Sequence, residues 1–211
     1  MPRMMFLLYP GFELLDFSGP AQVFHDARKL GMDLEILFCG SQESLVSEQG
    51  LVVAGLVSLP ETRPGDWVFV PGFSPEITVP PASLSASLRR AASHGARIVS
   101  TCTGAFILGK AGLLDGRECT THWKRQAQLR KAQPLARVKE HCIFVEDGPI
   151  VTCGGVTCGI DLALYLVEQI SGPAFTLRIA RELNVYIRRD SGHSLNSVFS
   201  DYRNHGHPGI H

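Results

Sequence analysis

The stretch Ala96-Arg97-Ile98-Val99-Ser100-Thr101-Cys102-Thr103-Gly104-Ala105-Phe106-Ile107-Leu108 constrains the fold more than any other part of the chain. Ile98 and Val99 form a short β-branched apolar run of the kind found in a strand buried in a parallel sheet. At Cys102 the pattern breaks into the small residues Thr103-Gly104-Ala105, and Phe106-Ile107-Leu108 resumes with helical spacing toward Leu113 and Leu114. A strand that runs straight into a helix predicts a sharp turn, with the sulfur at the strand's carboxyl end, where open α/β sheets place their sites. The arrangement is that of a nucleophile elbow with Cys in place of Ser. The amides that follow should lie at a helix N-terminus, which favours an anion and predicts a lowered thiol pKa. A buried, inert Cys is the competing reading, since free Cys is commonly a core residue.

The composition fits one globular α/β domain: 211 residues, 45% apolar and 19% charged. Twenty basic residues balance twenty acidic ones, so no net field draws the chain to nucleic acid or to a membrane surface. The opening Met1-Pro2-Arg3-Met4-Met5-Phe6-Leu7-Leu8-Tyr9 is too short for a signal peptide, and no stretch reaches transmembrane length. A cytoplasmic protein without a membrane partner is expected. The cysteines (Cys39, Cys102, Cys119, Cys142, Cys153, Cys158) show no compact ligand spacing, and no second pair completes a zinc site with Cys153 and Cys158. Reduced thiols, no metal and no cofactor are the expectation.

Met4–Tyr9 reads as the first strand. A helix capped by Ser18, with Pro20 in its first turn, is expected to run to about Leu30, where Gly31 stops it. Asp33–Phe38 reads as a strand, Leu51–Val53 as a short extended piece, Trp67–Val70 as a buried strand and Pro81–His94 as a helix burying Leu84, Leu88 and Ala91. After Cys102 and its helix, Glu118–His122 is extended, and Lys124–Lys131 is a basic helix better read as a solvated face than as a nucleic-acid patch. Cys142–Glu146 and Pro149–Cys153 form a hairpin about Asp147-Gly148. Helices then follow at Thr157–Ile170 and from Pro173, the latter with Leu177, Ala180 and Leu183 spaced for burial. The alternation predicts a flavodoxin-like, doubly wound parallel sheet with helices on both faces. Residues 1–187 form this domain, and 188–211 are a polar tail with four of the eight His residues. His205 and His207 in that tail are weak metal candidates.

A Cys nucleophile needs a partner, an oxyanion hole and an orienting group. The Thr103 amide is placed to donate to an oxyanion, and Gly72, ending a neighbouring strand, can bring its own N–H close. Asp16 follows the first strand and reads equally as a proton acceptor for the thiol or as an ordinary residue at a helix start. His122 is a second possible partner, or a half-buried structural His. No late His-x-Glu pair exists, which argues against a glutaminase triad.

Val70-Pro71-Gly72, the run Ser100-Thr101-Cys102-Thr103-Gly104-Ala105-Phe106-Ile107-Leu108-Gly109-Lys110-Ala111-Gly112-Leu113-Leu114-Asp115-Gly116-Arg117, and Thr120-Thr121-His122-Trp123 resemble the ThiJ/PfpI superfamily. Tyr9-Pro10-Gly11-Phe12, Leu15-Asp16-Phe17-Ser18-Gly19-Pro20 and the run from Gly155-Val156-Thr157-Cys158-Gly159 to Leu164 extend the resemblance from Met4 to about Val185. It implies a class I glutamine-amidotransferase-like fold and points to two branches. One is isonitrile hydratase, which implies a nucleophile at Cys102, an acidic partner at Asp16 and a polar helper at Thr103. The other is the amino-terminal, amidase-like domain of AraC-type transcriptional regulators, which senses a small, often nitrogen-containing metabolite and passes the signal to a C-terminal helix-turn-helix part. The segments Ala180–Arg189 and Tyr202–Pro208 are similar to the lead into that part, yet none follows before His211. The expectation is therefore a sensor domain that reaches DNA only through a domain absent from this chain, and a homodimer as the resemblance implies. Its pocket should be lined by Asp16, Gly72, Phe73, Cys102, Thr103, His122, Gly155, Val156 and Thr157. A Cys-dependent hydratase is the alternative, and a redox or electrophile sensor using the Cys102 thiolate a third.

Overall fold

The computed structural model describes residues 1–76 and 78–185, so the tail and the 187/188 boundary lie outside the described residues. In chain order the elements are β1 (Arg3–Leu7), α1 (Leu14–Lys29), β2 (Glu35–Cys39), β3 (Ser44–Val46), β4 (Val52–Ala54), β5 (Trp67–Val70), α2 (Ala82–Ser93), β6 (Arg97–Thr101) and α3 (Gly104–Lys110). Then come β7 (Glu118–Cys119), a 3-10 turn at Trp123–Arg125, α4 (Gln126–Ala132), β8 (Arg137–Val138), β9 (Phe144–Asp147), β10 (Ile150–Cys153), α5 (Thr157–Ser171) and α6 (Pro173–Glu182).

Six strands make the central sheet in the order β2-β1-β5-β6-β10-β9. Every residue of β5 and β10 is buried. Alternate side chains of a strand point to opposite faces, so both faces of the sheet must be covered. Helices α1, α5 and α6 pack on one another as one group, and α2, α3 and α4 as a second. The apolar centre is rich in aromatics: Phe6 stacks on Phe69 at 4.8 Å, and Phe17 and Phe24 close around them.

The sheet is parallel except at its edge, where β9 runs antiparallel to β10 as the expected hairpin. The cause is the Asp147-Gly148 turn: a two-residue loop returns the chain at once, whereas a parallel neighbour needs a long crossover. A small hairpin, β3–β4, replaces the single extended piece expected near Leu51. In α6 the buried residues are Thr176, Ile179 and Ala180, while Leu177, expected inside, is 51% exposed.

Helix α1 begins five residues earlier than the Ser18 cap predicts, its N-cap being Glu13, with Ser18 and Pro20 inside it. Proline has no N–H to give to the carbonyl four residues back, which here belongs to Asp16. The hydroxyl of Thr101, the last residue of β6, donates to that carbonyl at 3.1 Å instead. The helix therefore survives its proline, and the vacated bond ties Asp16 to the strand that ends at Cys102.

Candidate functional site

Cys102 stands between the end of β6 and the start of α3 with φ of 54°, in the left-handed region that non-glycine residues rarely occupy. Its backbone is held on both sides: its N–H donates to the Cys153 carbonyl at 3.1 Å, and its carbonyl accepts the Thr121 hydroxyl at 2.7 Å. The turn points the thiol to the sheet's carboxyl edge, as the strand-break-helix pattern predicts.

Asp16 lies in the first turn of α1, 2% exposed. Its Oδ2 accepts the Gly72 N–H at 3.0 Å and its Oδ1 accepts the Val156 N–H at 2.6 Å. Burial raises its carboxyl to about 6 against the opposing pull of those two donors, with Glu13 adding to the rise. The carboxylate also accepts the Cys102 thiol, which leaves the acid and the sulfur as a buried donor–acceptor pair.

The expectation of a lowered thiol pKa is overturned. Burial, then the Asp16 charge, push the Cys102 thiol well above its ordinary range, and the Thr103 N–H on the sulfur offsets only part of this. Helix α3 has only seven residues, so little dipole stands behind that amide. At neutral pH the sulfur is a thiol that donates, not a thiolate.

Two glycines let these groups meet. A Cβ on Gly155 would stand 2.3 Å from Cys102 Cβ and 2.8 Å from its Sγ, and one on Gly72 would stand 2.5 Å from Asp16 Oδ2. Val156, next to Gly155, is a β-branched residue with φ of 51° and ψ of −115° at the N-cap of α5. That strained conformation is the one in which its N–H reaches Asp16.

The Thr103 hydroxyl is engaged by the Phe73 backbone, accepting its N–H at 2.7 Å and donating to its carbonyl at 2.5 Å. It therefore fixes the loop after β5 against α3. The Gly72 N–H, read from sequence as an oxyanion donor, is instead given to Asp16. His122 is half-buried, its ring tilted against Trp123 at 5.8 Å, and burial together with Lys124 and Arg125 lowers its pKa, which keeps it neutral.

A cavity of about 230 Å³ opens above the sulfur. Of the residues expected around it, Phe73, Cys102, Thr103, His122 and Val156 line it. Asp16, Gly72 and Gly155 stand behind that lining, bonded to it or packed on Cys102. Thr157 is exposed at the start of α5 and does not line the cavity. The sequence reading missed Glu13, Glu48, Ser74 and Pro75, and it assigned Lys124 and Arg125 to a solvated face although both line this cavity. Glu13 is the one with a signal, three residues before Asp16 in the same helix-start segment; Glu48 sits on a hairpin loop with no motif around it.

Residues 2–169 match the DJ-1/PfpI family. The chain belongs to that family. As a DJ-1/PfpI protein it is 32% identical over 180 residues to the HTH-type transcriptional regulator CdhR of Pseudomonas aeruginosa, a match covering 84% of this chain and 53% of CdhR. It is 32% identical over 169 residues to isonitrile hydratase of Pseudomonas putida, covering 79% of this chain and 71% of the hydratase. The chain spans about half the length of regulators such as CdhR and GlxA. The crystal structure of an AraC family transcriptional regulator from Pseudomonas putida superposes with TM-score 0.76 at 23% identity, over 87% of this chain and 100% of that one. That likeness places the chain in the DJ-1/PfpI fold. Among the described residues no helix is long and apolar enough to cross a membrane.

Proposed function

We propose that this chain is the ligand-sensing domain of an AraC-type transcriptional regulator, with a small nitrogen-containing metabolite bound in the cavity above Cys102. The observation that carries the reading is the state of the thiol. A sulfur held protonated by burial and by Asp16, beneath a cavity of about 230 Å³ that has room for a small molecule only, suits binding better than attack. The similarity to CdhR and GlxA, each matched over about half its length, agrees. On this reading the protein works in the cytoplasm as a homodimer and reaches DNA only through a C-terminal domain.

The hydratase reading is favoured by one observation, the Asp16–Cys102 hydrogen bond. Cys102 Sγ would add to the isonitrile carbon while its proton passes through Asp16 to that same carbon. Water would then add, the sulfur would leave as the thiol, and the N-substituted formamide would depart. Two measurements separate the readings. For the sensor, small amines and amino-acid derivatives raise the melting temperature, no formamide forms from isonitriles, and the reading frame beyond His211 encodes a helix-turn-helix pair. Formamide production that Cys102→Ala abolishes overturns it in favour of the enzyme.

A further inference from the structure

Resting on the reading of the cavity above Cys102 as a ligand site, we infer that the Gly155–Val156 turn is the trigger through which an occupied cavity moves α5 and α6. Among the described residues four that are not glycine have left-handed φ, and two of these, Cys102 and Val156, line the cavity. Both donate to Asp16, the Val156 N–H at 2.6 Å and Cys102 through its thiol. Strained backbone persists only where its surroundings over-determine it, and here one carboxylate restrains two strained residues on one cavity wall. The Val156 side chain is 37% exposed, so a bound molecule meets it directly. Such a molecule touches the strained turn and a relaxed one differently, which is the differential interaction a ligand needs to shift a conformation.

The elements after Val156 carry a displacement onward. The Gly155 and Val156 carbonyls accept the Cys158 and Gly159 N–H groups at 3.0 and 3.1 Å, so turning the Val156 peptide re-aims the start of α5. That first turn has no slack toward α1. A Cβ on Gly159 would stand 3.0 Å from Pro20 Cγ and 3.2 Å from Thr101 Cγ2, and one on Gly19 would stand 2.9 Å from Ile160 Cγ1. Close-packed groups pass strain on instead of absorbing it, so the helix moves as a whole. Helix α5 ends at Ser171 and α6 begins at Pro173, joined by Gly172 alone. The corner is tied on both sides: the Gly172 N–H donates to the Glu168 carbonyl at 2.8 Å, and the Gly172 carbonyl accepts the Thr176 N–H at 3.2 Å and its hydroxyl at 3.1 Å. Helix α6 therefore follows α5. It is the last described helix, and on the proposed reading the DNA-binding part lies beyond it.

Groups attached to Cys102 fill the cavity without a known ligand. Methyl and benzyl methanethiosulfonate convert the Cys102 S–H to a mixed disulfide, S–S–CH3 or S–S–CH2C6H5, and release methanesulfinic acid. The full chain carries Cys142→Ser, which removes the one other thiol that is not buried among the described residues, and mass spectrometry confirms the adduct at Cys102. Hydrogen–deuterium exchange is then read peptide by peptide. The benzyl adduct should speed exchange at least about fivefold in the first turn of α5 and about twofold in α6, leaving α2, which packs on α3 and β6, unchanged. The methyl adduct removes the same S–H donor but fills less space, and should give a smaller change. Val156→Gly takes away both the side chain that is met and the strain, so the benzyl effect on α6 should vanish. The inference is overturned if α6 does not respond, if the two adducts act equally, or if Val156→Gly responds as the parent does. In each of those cases the adduct has formed and the sensor reading stands on its own tests. If neither reagent reaches Cys102, the cavity is closed and both readings fall together.

Discussion

The ends of β6 and β10 are made of similar residues and behave differently. The two strands are parallel neighbours with Thr101 opposite Cys153, and each leads through a Cys (Cys102 just past β6, Cys153 at the end of β10) into a tight turn and a helix. Cys153 is still in the strand, follows its alternation and is wholly buried. Cys102 lies one residue past the paired strand, and its left-handed φ swings the thiol out to the cavity. On the β10 side the left-handed backbone comes later, at Gly155 and Val156, and there it brings a main-chain N–H to Asp16. One turn presents a sulfur and the other presents an amide, and the carboxylate of α1 accepts from both. The position of the left-handed residue, not the residue types, sets the division.

Removing the space between the two turns should have the largest effect. Gly155→Ala combines φ of 91° with a Cβ driven into Cys102, so a loss of more than about 3 kcal/mol is expected in denaturant unfolding. Gly172→Ala is the control: φ is 80° with ψ of 168° but nothing lies within 4 Å, so only the backbone strain of about 1–3 kcal/mol should be lost. Equal losses would mean that contact with Cys102 contributes nothing.

Much of this comparison was legible in the sequence, and the illegible part has physical causes. The β6–Cys102–α3 turn follows from a β-branched run, a small-residue break and helical spacing, all of which are local. The α5 start and its Gly-Gly signal are local too. What failed depended on distant partners. The start of α1 was misplaced because Pro20 is tolerated only through the Thr101 hydroxyl, 81 positions further on. The thiol's raised pKa depends on burial and on Asp16, which no spacing reveals. Glu48 reaches the site on a hairpin whose three-residue strands are too short to announce themselves.

The second prediction concerns the acid shared by the two turns. A carboxyl raised to about 6 in the native protein binds its proton more tightly there than in the unfolded chain, where it titrates near 3.8. The stability this confers is present at low pH and is lost as pH rises through that interval, by about 3 kcal/mol at roughly 1.4 kcal/mol per unit. Urea unfolding between about pH 4 and pH 7 should show the fall, superposed on the opposite slopes of ordinary paired carboxylates such as Asp66. Asp16→Asn should remove it while costing some stability throughout, because an amide cannot accept from both Gly72 and Val156. An unchanged slope in the variant would place the titration elsewhere.

The same substitution tests the sulfur. Without the Asp16 charge the Cys102 thiol should fall toward its ordinary range, and iodoacetamide alkylation at pH 8 should quicken about tenfold for each unit recovered. Cys153, buried by packing, should stay unreactive in both proteins. Slower alkylation of Cys102 in the variant would mean that Asp16 acts as a base toward the thiol and not as a charge holding its proton.

The smallest effect should be the most diagnostic in sign. In helical surroundings Ala is normally more stable than Gly by about 1 kcal/mol. At Val156 the order should reverse, because φ of 51° with ψ of −115° strains any residue bearing a Cβ and leaves Gly unstrained. The Val156 side chain is 37% exposed, so its removal sacrifices little packing. Val156→Gly should therefore lie within about 1 kcal/mol of the wild type and above Val156→Ala, with the N–H to Asp16 retained in both. If Ala proves the more stable, the turn has relaxed to an ordinary φ, its amide has left Asp16, and the pH-dependent slope should steepen in that variant as the carboxyl loses a donor.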